Sequence, residues 1–442
     1  MGDGEETRAL QDATSVAPSI RRDPVVDLAR VACILLVVLA HLLMVGVTVD
    51  STGRLLLSRP VEEQPWFVPV TWAGQVMPLF FALGGFTAVT SWRRRRAEGG
   101  AGTDFVRSRT MRLAAPALPL FAFVAVAASI VTLVGVDAGL RDAIVAGIGV
   151  PLWFLAAYLL VQCCVPWLAA LHERAPWRTL AVLAAAAVVV DVAHARTGSR
   201  EVGLVNVLFV GAFVQQLGFW YADGWFGRRT RLQLCALAVG AYGLAWVGVA
   251  SGWHAANMLT NLDPPTVSLI LLGIAQMSLL TVFHPALARL MASRSVRAAV
   301  SVVSARALTL YLWHMPVIVA VTALSLLVPD AASHPPDALW WAGRPLVFAV
   351  VLVVVWAVSA PLARFERFAL IPPAGYRPPS ATVIGVAAVL ALAPLLGVIL
   401  RSLDLALAAV GTLLLAASVV LDRGRPIRAS TARPNRVRRA RR

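Results

Sequence analysis

Apolar stretches of about 20 residues recur along this chain, and they restrict it to folds whose surrounding solvent is lipid. A transmembrane helix needs roughly that length to cross about 30 Å of hydrocarbon. We identify twelve such stretches, at residues 25–49, 67–91, 113–136, 148–171, 177–195, 203–224, 232–251, 266–290, 306–328, 340–362, 381–400 and 403–421. Because only a few residues separate the last two stretches, a total of eleven spans is the alternative. The sequence predicts an all-α, polytopic integral membrane helical bundle.

The composition excludes a soluble globular protein. Only 14% of the 442 residues are charged and 59% are hydrophobic, whereas soluble domains carry about 25% charged residues. The net charge is +16, but basic excess in a membrane protein usually marks its cytoplasmic loops, so nucleic acid is not expected as a partner. The four cysteines lie in apolar stretches and the histidines show no metal-ligand spacing, so no metal site is expected.

The distribution of arginine predicts the topology. All 39 basic residues are arginine. When the N-terminus is placed in the cytoplasm, 31 arginines fall in cytoplasmic segments, six in outer loops and two within spans. Cytoplasmic loops of membrane proteins carry such an excess of basic residues. We therefore predict a multi-pass protein of the cell membrane with both termini in the cytoplasm.

The two ends of the chain differ from the spans. Residues 1–24 are polar and of mixed charge, which predicts a disordered cytoplasmic segment without a signal peptide. Residues 422–442 form an arginine-rich cytoplasmic tail, which we expect to contact membrane lipid headgroups.

The first apolar stretch contains ionisable residues that are costly in lipid. Arg30 and His41 stand eleven residues apart, which at about 100° per residue is three turns plus about 20°, so both point to one side. The two residues lie roughly 16 Å apart along the helix axis. Asp27 lies three residues before Arg30, close enough to pair with it. Ionisable groups inside a span are functional candidates, so we expect the chemistry of the protein here.

Five short motifs in this order are similar to those of one known family. The first is Arg30, ten intervening residues and His41. The others are MPLFFALGGF at 77–86, the arginine pair of RTMRL at 109–113 with Phe105 and Pro116, LWFL at 152–155, and YLWHMP at 311–316. In this order and topology the set resembles the membrane-bound acyltransferase 3 family. The resemblance covers about residues 20–365 and implies a ten-span core at 25–365, followed by two extra helices at 381–421. Gly84 departs from the family pattern, which usually has serine there.

The resemblance implies a membrane-embedded O-acyltransferase. Members of the family move an acyl group, commonly acetyl, from cytoplasmic acyl-CoA to a hydroxyl of a carbohydrate or other acceptor, often in the cell envelope. We therefore expect acyl-CoA as co-substrate, no permanently bound cofactor, and a glycan or glycolipid as acceptor. In this assignment His41 is the general base, Arg30 binds the donor or stabilises charge along its path, and Asp27 orients Arg30.

Further candidates have two interpretations each. Arg109 and Arg112 lie on one helix face and suit the phosphates of CoA, or they anchor the topology. The other candidates are expected to line the acceptor pocket, although close helix packing, interface anchoring or a structural histidine would also account for them: Gly84, Gly85, Trp153, Tyr158 and His314. Asp191 and His194, three residues apart, are expected to pair with each other.

The alternative function class is a twelve-span secondary transporter of the major facilitator type. Its loop signature, G-x-x-x-D-R-x-G-R-R, normally lies between spans 2 and 3. Here Gly218, Asp223, Gly227, Arg228 and Arg229 resemble it loosely, but their spacing is wrong and they follow span 6. The acyltransferase interpretation is therefore favoured.

Overall fold

The computed structural model describes residues 23–49, 55–327, 338–370, 376–377 and 379–426. Within these residues, twelve helical segments are long and apolar enough to cross a membrane. The all-α polytopic bundle is therefore confirmed. Most of the two predicted terminal segments, residues 1–22 and 427–442, lies outside the described residues.

We number the helices and strands in chain order. The helices are α1 (Pro24–Met44), α2 (Phe67–Gly74), α3 (Met77–Ala97), α4 (Gly102–Ala114), α5 (Ala117–Leu133), α6 (Ala138–Cys163), α7 (Val165–Arg174), α8 (Pro176–Thr197), α9 (Arg200–Leu204), α10 (Asn206–Ala222), α11 (Arg231–Ala250), α12 (Val267–Leu290), α13 (Arg294–Ser304), α14 (Ala307–Ser325), α15 (Ala338–Leu370), α16 (Ala381–Arg401) and α17 (Leu405–Asp422). The strands are β1 (Gly46–Val49), β2 (Leu55–Ser58), β3 (Tyr376–Arg377) and β4 (Arg425–Pro426). Strands β1 and β2 pair antiparallel, as do β3 and β4.

Several predicted span boundaries are wrong, including the start of the third span, which lies at Gly102 instead of residue 113. The first helix ends at Met44 instead of residue 49, because residues 47–49 (VTV) are of types enriched in strands and residues 46–49 pair with β2. The fourth span is Ala138–Cys163 instead of 148–171. It ends there because Pro166, in the first turn of α7, has no backbone N–H to continue the helical ladder.

The last two helices are separate, so the total is twelve and not eleven. Residues 402–404 interrupt them, and the Asp404 carboxylate accepts a hydrogen bond from the Leu407 backbone N–H (2.6 Å). This N-cap starts α17 and fixes its position relative to α16.

The second span is broken between α2 and α3, deep in the bundle. Gln276 of α12 replaces the lost backbone bonds: its Nε2 donates to the Gln75 carbonyl (2.6 Å), and its Oε1 accepts from the Leu79 N–H (2.9 Å). A buried break in a span requires such partners, because lipid supplies none. The break places the backbone of residues 75–77 in the wall of a cavity.

Helices α3 and α10 approach each other until their backbones touch. A Cβ built on Gly85 would overlap the Gln215 carbonyl, and one built on Gly218 would overlap the Ala82 carbonyl and the Phe86 N–H. Small residues permit this approach between membrane helices. This contact fixes α3, the helix that lies against Arg30.

We expect Gly218→Ala to lower the free energy of unfolding by about 1–3 kcal/mol, because the methyl group must push two backbones apart. Gly240→Ala in α11 is the matched control, since a Cβ added at Gly240 would have no atom within 4 Å. Thermal unfolding in detergent checks this, and equal midpoints for the two variants would contradict the close packing.

Candidate functional site

A cavity of about 390 Å³ lies at the end of the bundle where α1 ends. We call it the outer cavity because it lies opposite the arginine-rich loops. Its floor is formed by His41, Trp153, Phe154 and Tyr311, and charged residues lie at its mouth (Arg59, Glu62, Arg200 and Asp263). An apolar cavity with few polar groups is typical of a small-molecule site.

His41 and His314 are in direct contact at this cavity. His41 Nδ1 lies 2.8 Å from His314 Nε2, and His314 Nδ1 lies 2.6 Å from the Tyr311 carbonyl oxygen. Because a carbonyl only accepts, His314 Nδ1 carries a proton. With both rings neutral, His314 Nε2 then accepts from the Nδ1–H of His41. This leaves the lone pair of His41 on Nε2, the state that a general base requires.

Tyr311 fixes the position of this histidine pair. Its hydroxyl donates to the Pro151 carbonyl (2.7 Å) and its side chain is buried. The bond joins α14 to α6, and His314, one turn further along α14, is fully buried. Tyr311 lies in the YLWHMP motif, but its place in the motif predicted no role for it. The histidine pair joins residues 273 positions apart, a contact that no local pattern predicts.

A second cavity, of about 490 Å³, lies at the opposite end of the bundle. We call it the arginine pocket. It is lined by six arginines and two acidic residues, together with Ser91, Ser108 and Met111: Arg94, Arg95, Arg107, Arg109, Arg112, Arg423, Asp104 and Asp422. Of the three predicted donor-binding residues, Arg109 and Arg112 line this pocket and Arg30 does not. The excess of positive charge in a confined space favours an anionic ligand.

Residues of α3, α4 and the end of α17 form the arginine pocket. Arg107 of α4 donates through Nε and Nη2 to the Asp422 carbonyl at the end of α17 (3.2 and 2.6 Å), and its Nε lies 3.3 Å from Asp422 Oδ1. Arg109 lies over the Phe105 ring (4.8 Å), and its Nε is buried without a hydrogen-bond partner. That donor has no acceptor among the described residues.

The run of four arginines at 93–96 is divided between two roles. Arg94 and Arg95 line the arginine pocket, whereas Arg93 and Arg96 form ion pairs with Asp223 and Glu173, respectively. Partial burial opposes the charged form of Asp223, but hydrogen bonds from His172 and Arg93 outweigh it and lower the pKa of Asp223 to about 2. Arg93 is therefore held in a structural pair.

Arg30 lies between the two cavities. Its guanidinium is 5.5 Å from the centre of the Phe80 ring, and its Nε is buried without a hydrogen-bond partner. It interacts electrostatically with Arg109. Phe80 in turn contacts Phe154 of the outer cavity, with ring centroids 5.3 Å apart. Asp27 lies in the first turn of the same helix.

A layer of aromatic rings separates the cavities. Phe80, Phe154 and Tyr158 pack together with ring centroids 5.3–5.8 Å apart. The void that borders this layer, lined by Cys33 and Val37 among others, measures only about 10 Å³. This void is too small to hold a ligand arm.

The remaining predicted pocket residues have distinct positions. Trp153 lines the outer cavity, and its Nε1 is buried without a hydrogen-bond partner. A Cβ on Gly84 would overlap the Tyr158 hydroxyl, so this hydroxyl occupies the space of the absent side chain. Gly85 instead contacts the backbone of α10.

The predicted pair of Asp191 with His194 is wrong. Asp191 accepts hydrogen bonds from His254 Nε2 (3.1 Å) and Asn206 Nδ2 (2.7 Å), while His194 Nδ1 lies 2.8 Å from the Ser199 carbonyl. The spacing of Asp191 and His194 along α8 did not predict these partners, because they lie in other segments of the chain.

Comparison with known proteins gives one match. A family model described as an acyltransferase domain matches residues 23–362, the first ten spans. No curated protein and no solved structure matches the chain.

Proposed function

The chain belongs to the acyltransferase 3 family, and we propose that it transfers an acyl group, commonly acetyl, from acyl-CoA to a hydroxyl of a carbohydrate acceptor. The family and the twelve apolar helices support a multi-pass membrane acyltransferase. The proposed donor and acceptor are supported by two cavities of different chemistry at opposite ends of the bundle.

His41 is the proposed general base. The hydroxyl proton of the acceptor passes to His41 Nε2 while the acceptor oxygen bonds to the thioester carbonyl carbon. The carbon–sulfur bond then breaks, and the CoA thiolate takes the proton from His41. His314 Nε2 accepts from the Nδ1–H of His41, which stabilises the imidazolium formed in between.

The arginine pocket is the proposed site for the CoA nucleotide. CoA carries a diphosphate and a phosphomonoester, and arginine forks bind both by charge-assisted hydrogen bonds. Arg30 and His41 stand roughly 16 Å apart along α1. This distance suits an extended pantetheine arm that leaves its nucleotide at the membrane surface and carries the thioester to His41.

The outer cavity is the proposed acceptor site. Its aromatic floor offers apolar contact to the face of a sugar ring, and the unpaired Trp153 N–H offers a hydrogen-bond donor. The charged residues at its mouth suit a polar acceptor that arrives from water or from a lipid-linked glycan of the cell envelope. The acceptor hydroxyl would then lie beside His41.

The observation that carries this proposal is the 2.8 Å contact of His41 Nδ1 with His314 Nε2 beside a cavity, which with neutral rings leaves the lone pair of His41 on Nε2. Purified protein in liposomes tests it. We expect time-dependent release of CoA from acetyl-CoA that increases when hydroxyl acceptors are added. Solute accumulation without loss of the thioester would instead support the transporter class.

We expect His314→Ala to lower kcat about 10- to 100-fold, because His41 loses its hydrogen-bond partner in the charged state. The KM for acetyl-CoA should stay near wild type, and the pH–rate profile should shift. His314→Gln is the matched variant, since its amide oxygen accepts from His41 Nδ1 and should restore part of the rate. Equal losses in both variants, with an unchanged pH profile, would contradict this role.

A further inference from the structure

Ser402 has a backbone conformation that serine rarely adopts. It is the one non-glycine residue with positive φ (63°) in the described part of the chain. Its ψ is 169°, so it lies in a region populated almost only by glycine. Ser402 also lines the outer cavity and lies beyond the residues matched by the family model. Such conformations persist where surrounding contacts enforce them, and they concentrate at functional sites.

Arg200 holds the chain just before Ser402. It donates to both carboxylate oxygens of Asp263 (3.0 and 2.8 Å), and its Nη2 also donates to the Ile399 carbonyl (2.9 Å). Arg200 Nη1 donates a longer hydrogen bond to the Leu400 carbonyl (3.4 Å). Free carbonyls at a helix C-terminus favour a cation. Arg200 therefore ties the end of α16 to loops of the acyltransferase domain at the cavity mouth.

The chain just after Ser402 is also fixed. A Cβ on Gly149 of α6 would come within 2.5 Å of Leu403 Cβ, so Leu403 packs directly on the α6 backbone and is buried. Asp404 caps α17 through the Leu407 N–H. Ser402 is thus restrained on both sides, against the helix that carries Trp153.

The Ser402 side chain is free to bind a ligand. The residue is exposed, and its backbone N–H donates to the Val398 carbonyl (3.0 Å). Its hydroxyl makes no hydrogen bond with any described residue. Glycine would adopt this backbone conformation without strain, so the conformation alone does not account for a serine. The hydroxyl is the group that a glycine would lack.

We propose that Ser402 binds the acceptor, and that the turn between α16 and α17 is the part of the outer cavity that selects the hydroxyl compound to be acylated. This inference rests on the proposed acyl transfer. A serine hydroxyl both donates and accepts, as do the hydroxyls of a sugar or polyol. The two C-terminal helices thus add an acceptor-binding element to the ten-span family domain.

Kinetics of Ser402→Ala and Ser402→Gly test this proposal, with acetyl-CoA as donor and glycerol and methyl glycosides as probe acceptors. Both variants lack the hydroxyl, and we expect the acceptor KM to rise about three- to tenfold. The KM for acetyl-CoA should stay unchanged. Ser402→Gly should also unfold at a higher temperature than Ser402→Ala, because glycine removes the strain.

Ser251→Ala is the control, because Ser251 is exposed and its hydroxyl bonds only the Gly248 carbonyl. Acceptor KM values equal to wild type in both Ser402 variants would overturn the inference. So would a rise in acetyl-CoA KM, because it would place Ser402 on the donor path. A wild-type protein that releases no CoA at all would instead overturn the proposed acyl transfer.

Discussion

His41→Ala is expected to lower the rate of acyl transfer about 10²–10⁴-fold, the usual contribution of a positioned general base. Its Nε2 is the proton acceptor left free by the contact with His314, and no other group of the described cavity lining is assigned this role. Because the residue lies far from the arginine pocket, donor binding should persist. Steady-state kinetics with acetyl-CoA and equilibrium binding of CoA separate the two effects.

His41→Gln tests whether the loss of activity in His41→Ala comes from the lost basic group or from the smaller side chain. Glutamine keeps a polar side chain but cannot take up a proton at neutral pH, so it should be as inactive as alanine. His194→Gln is the matched control, because His194 bonds the Ser199 carbonyl away from the cavity lining. Acyl transfer near the wild-type rate in His41→Ala would remove His41 from the role of base.

Arg109→Ala is expected to raise the KM for acetyl-CoA about 10- to 100-fold, with a smaller change in kcat. A charge-assisted hydrogen bond is worth about 1.5–3 kcal/mol, and Arg109 offers a buried, unpaired Nε to the ligand. Arg109→Lys should be intermediate, since lysine keeps the charge but not the fork. Initial rates at several salt concentrations should show a weaker salt dependence for the alanine variant.

Arg178→Gln is the control for the loss of one positive charge, because Arg178 and Arg109 both lie on the side of the membrane predicted to be cytoplasmic. Arg178 is exposed and makes no hydrogen bond or ion pair with the described residues. If Arg109→Ala and Arg178→Gln had the same KM for acetyl-CoA, the arginine pocket would not be the donor site.

Local sequence patterns predicted those features that depend on the solvent and on helix periodicity. The apolar lengths predicted twelve spans, and five short motifs in order predicted the family, because both are properties of short segments. The spacing of Arg109 and Arg112 predicted a shared helix face, and both line one pocket.

Contacts between distant segments escaped prediction. The contact of His41 with His314 depends on how α1 and α14 pack, and Arg423 reaches the arginine pocket only because α17 ends beside α4. The early end of α1 was missed because residues 46–49 are as apolar as the helix before them. Ser402 carries no sequence signal, since its backbone conformation follows from contacts on either side.

The aromatic layer has a consequence for the transfer path. Phe80 lies between Arg30 and Phe154, so in the proposed transfer the pantetheine arm would pass beside these rings. This layer would keep water and small solutes from crossing between the cavities when no donor is bound.

In the proposed reaction, a donor bound at the arginine pocket acylates an acceptor bound in the outer cavity, through His41. Liposomes with the protein in one orientation test this reaction, with radiolabelled acetyl-CoA on the arginine-pocket side and a methyl glycoside acceptor on the other. We expect labelled acetyl ester only in the acceptor compartment, and none with His41→Ala. Labelled ester that forms when the acceptor is supplied only on the arginine-pocket side would contradict this path. Ester formed equally well by His41→Ala would contradict the role of His41.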